Sequence, residues 1–395
     1  MASLSDALNR WRDGDPAVAA RCRATLFDPG LNGFLADGYR PLAEAAGGDI
    51  LAGPAGPLPA AVFPAPAATR DAPDAVLGPL SASRPLTPPP EFEGPGHAFL
   101  NALAMRRPGL WNGDVLCMER METSTRRITC ARGRYFDALV TADLIAVELL
   151  NSGIPTAGEA AHPLRTALHR RGNPLVEAAG RPAAIGISCL IVAATPGGPR
   201  LILRFVRAKH PGAPVQLHAI PSLMFQAFSD PAVEYSVRHN VFREYLEEVF
   251  GHPETDHIDP PPPTEAFYGH PDMRFLAGLI RGGGAHLELL GMAVDLLRLR
   301  PEVCTLLRID DPAWWARHRT GADGLTRLDV RDEGNGSRLA GDPEPAHALL
   351  EELAARHRMI ALPLELSEVL LRGHLLAPPG AATLAMAERK SRAGR

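Results

Sequence analysis

Three carboxylates, Glu244, Glu247 and Glu248, stand three and four positions apart in the run REYLEEVFG, residues 243–251. On an α-helix that spacing sends them to one side. Like charges so gathered repel unless a cation sits among them. A hard divalent ion such as Mg²⁺ or Mn²⁺ fits there, because it takes carboxylate oxygens and also grips the phosphates of a substrate. The competing reading is a solvated acidic helix face. Arg204, Arg207 and Lys209 alternate with apolar residues in LRFVRAKH and suit phosphate oxygens, or else line a solvated strand face. His218 reads either as a group that polarises substrate or as a satisfied structural histidine. Glu288, about forty residues beyond the acidic pair, is a further candidate carboxylate. Gly282–Gly284 reads as a flexible turn and not as a phosphate cradle, because no Gly-Lys-Ser/Thr follows.

These side chains need a frame. AIGISCLIVAAT is a β-branched apolar run ending at PGGPR, RLILRFVRAK is its expected hairpin partner, and QLHAIPSLMF gives a third strand that stops near Pro221. Residues 232–250 then show helical periodicity through Val233, Val237 and Val241, closed by Gly251. Pro260–Pro263 make a stiff connector, after which LELLGMAVDLLRL and EVCTLLRI read as strands and HALLEELAARHR as a helix. Upstream, LWNGDVLCMERM and RRITCA read as strands, followed by a helix in FDALVTADLIAVELLNSG. The division expected is an N-terminal helical region 1–52 capped by Ser3 or Ser5, a proline-rich extended linker 53–96, a strand-rich prefix 97–182, an α/β domain 183–378, and a C-terminal helix and tail 379–395.

An apolar content of 46% over 395 residues fills more core than one small domain needs. The formal net charge of -4 gives no general attraction to nucleic acid or to an anionic membrane, so any phosphate contact must be local. Five cysteines without CxxC spacing indicate neither a zinc cluster nor a disulfide framework, and a reducing cytoplasm is the expected setting. The first residues lack a signal-peptide pattern, and no apolar run approaches a membrane span, so a soluble, non-secreted protein is expected.

Arg243-Glu244, one apolar residue, one free residue and Glu247-Glu248 resemble the helical half of the Nudix box, R-E-apolar-x-E-E-x-G, and they follow three apolar strands. The resemblance implies an α/β/α sandwich with a mixed sheet. It implies a metal-dependent hydrolase, using Mg²⁺ or Mn²⁺, that cleaves a phosphoanhydride bond in a nucleoside-diphosphate-linked substrate such as a nucleotide sugar. Glu247 and Glu248 would bind the ion, Glu244 would bind it or take a proton from water, and Arg243 would brace the box. Arg204, Arg207 and His218 would contact the substrate, with Glu234 and Glu288 as further acids. Three features depart from the pattern. Val249 and Phe250 both precede Gly251, the expected Pro-Gly-Gly turn is Ile220–Leu223 without glycine, and the front glutamate falls on Tyr235 beside Glu234. LWNGDVLCMERM with GRYFDALVTAD is similar to the prefix of Nudix relatives that split UDP-glucose-type substrates, with Trp111 and Tyr135 as its aromatic residues, although burial alone explains such aromatics. The alternative reading is a non-hydrolytic Nudix-fold module that senses a nucleotide, and a third is an interaction scaffold with an exposed acidic helix. A nucleotide-type small molecule is the expected partner, and a homodimer is compatible with the sequence.

Overall fold

The computed structural model describes residues 3–81, 84–154, 162–178, 180–226, 231–253, 267–332, 339, 343–372 and 375–393. The N-terminal region folds as three helices, Leu4–Arg12, Pro16–Leu26 and Pro29–Ala45. Ser3 and Asp6 form a capping box on the first, satisfying N–H groups that the opening turn leaves without partners. Asp15 and Asp28 cap the other two, each followed by a proline at the first helical position, where its missing N–H costs nothing.

Among the described residues thirteen strands follow in chain order: β1 Asp49–Gly53, β2 Gly56–Pro64, β3 Leu77–Leu80, β4 Asp114–Met121, β5 Ile128–Arg134, β6 Gly186–Ala193, β7 Arg200–Arg207, β8 Val215–Ala219, β9 Ser222–Met224, β10 Ala285–Asp295, β11 Arg300–Ile309, β12 Arg331–Asp332 and β13 Met359–Pro363. The larger sheet is ordered β1-β2-β10-β11-β6-β7-β13-β12, with β8 on β7 and β9 on β6. It is mixed, because β11 and β6 run parallel, as do β12 and β13, among antiparallel neighbours. The expected third strand is therefore two short ones, divided at the cis Ile220–Pro221 bond and paired to different neighbours.

Alternation along the strands explains the layering. Val303, Leu307 and Ile309 of β11 join one apolar cluster with Val237, Val241 and Leu246. Cys304 and Leu306, the residues between, join another with Leu350 and with Leu384 of the C-terminal helix Pro378–Ala393. Both faces of the sheet are thus covered by helices, which makes the fold α/β with a helix–sheet–helix layering.

The proline-rich segment is more than a linker. Its strand β2 lies between β1 and β10, and Ala61 and Val62 pair to both neighbours. Pro59 and Pro64 flank that stretch, so the residues that must donate on both sides still have their N–H groups. The prefix strands β4 and β5 form a small sheet with β3. The chain leading into β6 is bonded to it through Met118 N–H to Ala183 O at 2.9 Å and Ile185 N–H to Leu116 O at 2.9 Å. Among the described residues, no helix is long and apolar enough to cross a membrane. All five cysteines are buried and unpaired. Pro260–Pro263 lie outside the described residues.

Candidate functional site

The single helix expected over 232–250 is interrupted. A turn at Pro231–Glu234 ends before Ser236, whose hydroxyl accepts the His239 N–H at 3.0 Å and starts a new helix, Val237–Glu244. Tyr235, at the place of a front glutamate, stacks on Phe225 with centroids 5.8 Å apart and donates to Gly78 O at 3.0 Å. The position has become an anchor to the proline-rich segment. The carbonyl of Glu234 accepts from Asn240 Nδ2 at 2.7 Å, which fixes the break; Glu234 does not line the clefts described below.

Residues Tyr245–Val249 form a π turn. Such a turn accommodates one residue more than an α-helix does, which matches the extra residue before Gly251. Gly251 then takes φ 72°, a left-handed value that glycine adopts without penalty, and the His252 N–H reaches back to Leu246 O at 3.2 Å. Because of the π turn, Glu247 and Glu248 do not project in the α-helical directions relative to Glu244.

Each glutamate has an identifiable environment. Glu248 Oε1 accepts from Arg204, and Glu248 Oε2 accepts the Ser222 N–H at 2.7 Å. Arg204 also donates to Ser222 O at 3.1 Å, so one arginine ties the helix Val237–Glu244 and its π turn, together termed the box helix, to β9. Burial pulls the pKa of Arg204 down to about 10, opposed by the charges of Glu244 and Glu302, and it stays a cation at neutral pH. Arg243 donates to Glu244 at 3.2 Å and to Gln226 Oε1 at 3.3 Å, and Glu247 is buried. Among the described residues, the three glutamates are not a set whose ligand oxygens lie within 4.8 Å of one another. Both oxygens of Glu248 are engaged, so a divalent ion held there would have to displace Arg204 or the Ser222 N–H.

Beside it opens a cleft of about 450 Å³ lined by Arg107, Arg204, Arg207, Lys209, Arg298 and Arg300, with Asp143 and Asp295. The turn Leu296–Leu299 between β10 and β11 places two of these cations. Asp295 Oδ1 accepts the Leu297 N–H at 2.9 Å, Leu299 adopts φ 52°, and the buried Arg165 holds the Leu296 carbonyl at 2.8 Å. Arg298 bonds Asp143 at 2.8 Å and Asp295 at 2.9 Å. Burial opposes ionisation of Asp143, but Arg298, Lys209 and Arg300 outweigh it and hold its carboxyl below the usual range. Arg300 meets Glu302 at 3.3 Å, and burial, aided by Asp295, pushes Glu302 up to about 7 against the pull of Arg300 and Arg204. Arg207 is paired to Glu351. Lys209 lies over the Tyr135 ring, 5.5 Å from its centroid. A second cleft, of about 270 Å³, shares Arg107, Arg207 and Lys209 and adds Arg23 and Arg106 from the N-terminal half, with no Asp or Glu among the described residues of its lining.

The remaining candidates separate. His218 lines the first cleft, but burial, reinforced by Arg204, brings its pKa down to about 3; it is neutral, with Nδ1 2.9 Å from Ala219 O. Glu288 is paired to Lys390 of the C-terminal helix and lies 3.9 Å from Arg308, on the face of the sheet away from the box helix. Tyr135 reaches the cleft. Trp111 is 39% exposed, so it is not a core residue, and its ring occupies the space that a Cβ at Gly113 would need. Asn112 Oδ1 accepts the Phe136 N–H at 2.9 Å and Gly113 O accepts the Tyr135 N–H at 2.9 Å, so this loop caps the helix Tyr135–Ser152 that carries Tyr135 and Asp143. Sequence reasoning missed Arg23, Arg106, Arg107, Arg298, Arg300 and Glu302. The alternating charges of LRLRPE between two apolar strands were the available signal for the last three.

Compared with protein-family models and with curated proteins, the chain matches none.

Proposed function

We propose that the chain binds a nucleotide-type, phosphate-bearing small molecule in the joined basic clefts and does not cleave it. One observation carries this reading: cations run from Arg300 and Lys209 through Arg107 to Arg23 and Arg106, beside a box helix whose Glu248 is already engaged by Arg204. Guanidinium groups take phosphate oxygens in pairs and an ammonium adds a point charge. Tyr135 and Phe205 supply apolar faces for a base or sugar. The neutral His218 adds no charge. The proposed setting is the cytoplasm, where buried thiols stay reduced.

The test is a panel of nucleoside diphosphates, dinucleotides and nucleotide sugars, followed by thermal shift and calorimetry in the presence of EDTA. Saturable binding that weakens with salt and falls about tenfold in Lys209→Ala and in Arg300→Ala is expected, the loss of one charge-assisted contact each. Failure of every compound to saturate, or affinity in both variants equal to that of the parent chain, contradicts the reading.

A second reading is favoured by one feature, the three glutamates of the box helix beside a cleft that Arg204 lines. It is Nudix-type hydrolysis of a phosphoanhydride bond in a nucleoside-diphosphate-linked substrate, with Glu244, Glu247 and Glu248 as ligands for Mg²⁺ or Mn²⁺. Arg204 would first have to release Glu248. Products formed only with Mg²⁺, and lost in Glu248→Gln, would favour it.

A further inference from the structure

Where the box helix ends, His252 comes together with His270 and Asp272, whose ligand atoms lie within 4.8 Å of one another. His270 caps the helix Pro271–Arg281 and Asp272 lies in its first turn, so the group links the ends of two helices. Asp272 has no solvent exposure. Its Oδ1 accepts the Thr326 N–H at 2.9 Å. Among the described residues its Oδ2 is faced by His252 Nε2 and by His270 Nδ1, both at 3.5 Å and too long for good hydrogen bonds, and His270 Nδ1 itself accepts the Asp272 N–H at 3.3 Å. A buried carboxylate oxygen between two imidazole nitrogens at that distance is poorly satisfied by them. Ligand atoms bound about 2.0–2.1 Å from a tetrahedral ion stand about 3.3 Å apart, close to the observed separations.

We infer that His252, His270 and Asp272 form a binding site for one borderline divalent cation of the Zn²⁺ or Co²⁺ class. Two imidazoles and one carboxylate suit such an ion better than Mg²⁺, which prefers an all-oxygen set. Thr326 Oγ1 lies beside the group, 3.3 Å from His252 Nε2. One outer partner is already in place, since the Thr326 N–H orients the carboxylate, while His318 Nδ1 bonds the Thr326 carbonyl at 2.9 Å and braces that segment. His252 and His270 are partly exposed, at 27% and 29% of their side chains, so an ion can enter. Bound there, it clamps the C-terminal end of the box helix to the helix Pro271–Arg281. This site is independent of the basic clefts and of the proposed ligand.

The test is Co²⁺ and Zn²⁺ titration of the chelator-treated full chain, read by the visible absorption of tetrahedral Co²⁺ and by the thermal midpoint. One equivalent of Co²⁺ with tetrahedral bands, displaced by Zn²⁺, and a midpoint raised by Zn²⁺ are expected. His252→Ala and His270→Asn, the latter keeping a helix-capping side chain, should each weaken binding at least tenfold and abolish the midpoint shift while leaving the circular dichroism unchanged. Should one variant misfold, the other decides. Absence of saturable one-to-one uptake, or uptake equal to that of the parent chain in a correctly folded variant, overturns the inference.

Discussion

The box helix and the turn Leu296–Leu299 carry ionisable groups of opposite sign, and they differ in what remains after pairing. The helix offers Glu248, which Arg204 and the Ser222 N–H engage on both oxygens. The turn offers Arg298, matched by Asp143 and Asp295, and leads into Arg300 at the start of β11, whose partner Glu302 is pushed up to about 7 by burial. Beyond the turn the described lining of the second cleft holds no acid, although Arg207 is paired from outside it to Glu351. Acidic spacing along one helix states where carboxylates project; it does not state which distant strand brings a cation to meet them.

Arg298→Met tests the turn most severely. It strips Asp143 and Asp295 of their shared cation, and breaking a buried pair of this kind costs about 3–5 kcal/mol. A lower denaturant midpoint at unchanged m should report it; a loss below that from Arg204→Met would reverse the ranking of the two regions.

The pH profile comes next. Glu302 is protonated more readily in the folded chain, with a pKa of about 7 against about 4.3 for an ordinary glutamate. Its contribution is fully present below the ordinary value and is lost as pH rises from there through 7, an effect of about 4 kcal/mol. Glu302→Gln should therefore match the parent at low pH and exceed it above pH 7, measured by denaturant unfolding across pH. Parallel profiles would mean that the carboxyl is not held in its neutral form.

Arg204→Met should cost less, about 1–3 kcal/mol, because the pair it forms with Glu248 is partly solvated. Thermal unfolding measures this. The smallest expected effect is Lys209→Ala, which should leave the midpoint within about 0.5 kcal/mol of the parent while weakening ligand binding. A large stability loss there would show that Lys209 braces the Tyr135 ring and does not serve the cleft.

Much of the sheet was legible because β6, β7, β10 and β11 are apolar runs bounded by turns, and periodicity reports burial directly. The place of β2 was hidden by its prolines, since composition reads a segment as a whole while pairing depends on the proline-free residues between Pro59 and Pro64. Arg204, Arg207 and Lys209 could be nominated from alternation along LRFVRAKH, on β7 and just beyond its end, and they do line one cleft. Arg23 and Arg106 could not, because they arrive from helices distant in sequence. The π turn at Tyr245–Val249 was foreshadowed only by the displaced Gly251, and no local propensity marks it.

The most direct measurement is a calorimetric titration of one nucleotide sugar or nucleoside diphosphate found to bind, run once in EDTA and once in Mg²⁺, with both samples then assayed for cleavage products. The account predicts the same affinity in both and intact ligand at the end. Binding that requires Mg²⁺, with products that Glu248→Gln abolishes, would contradict it.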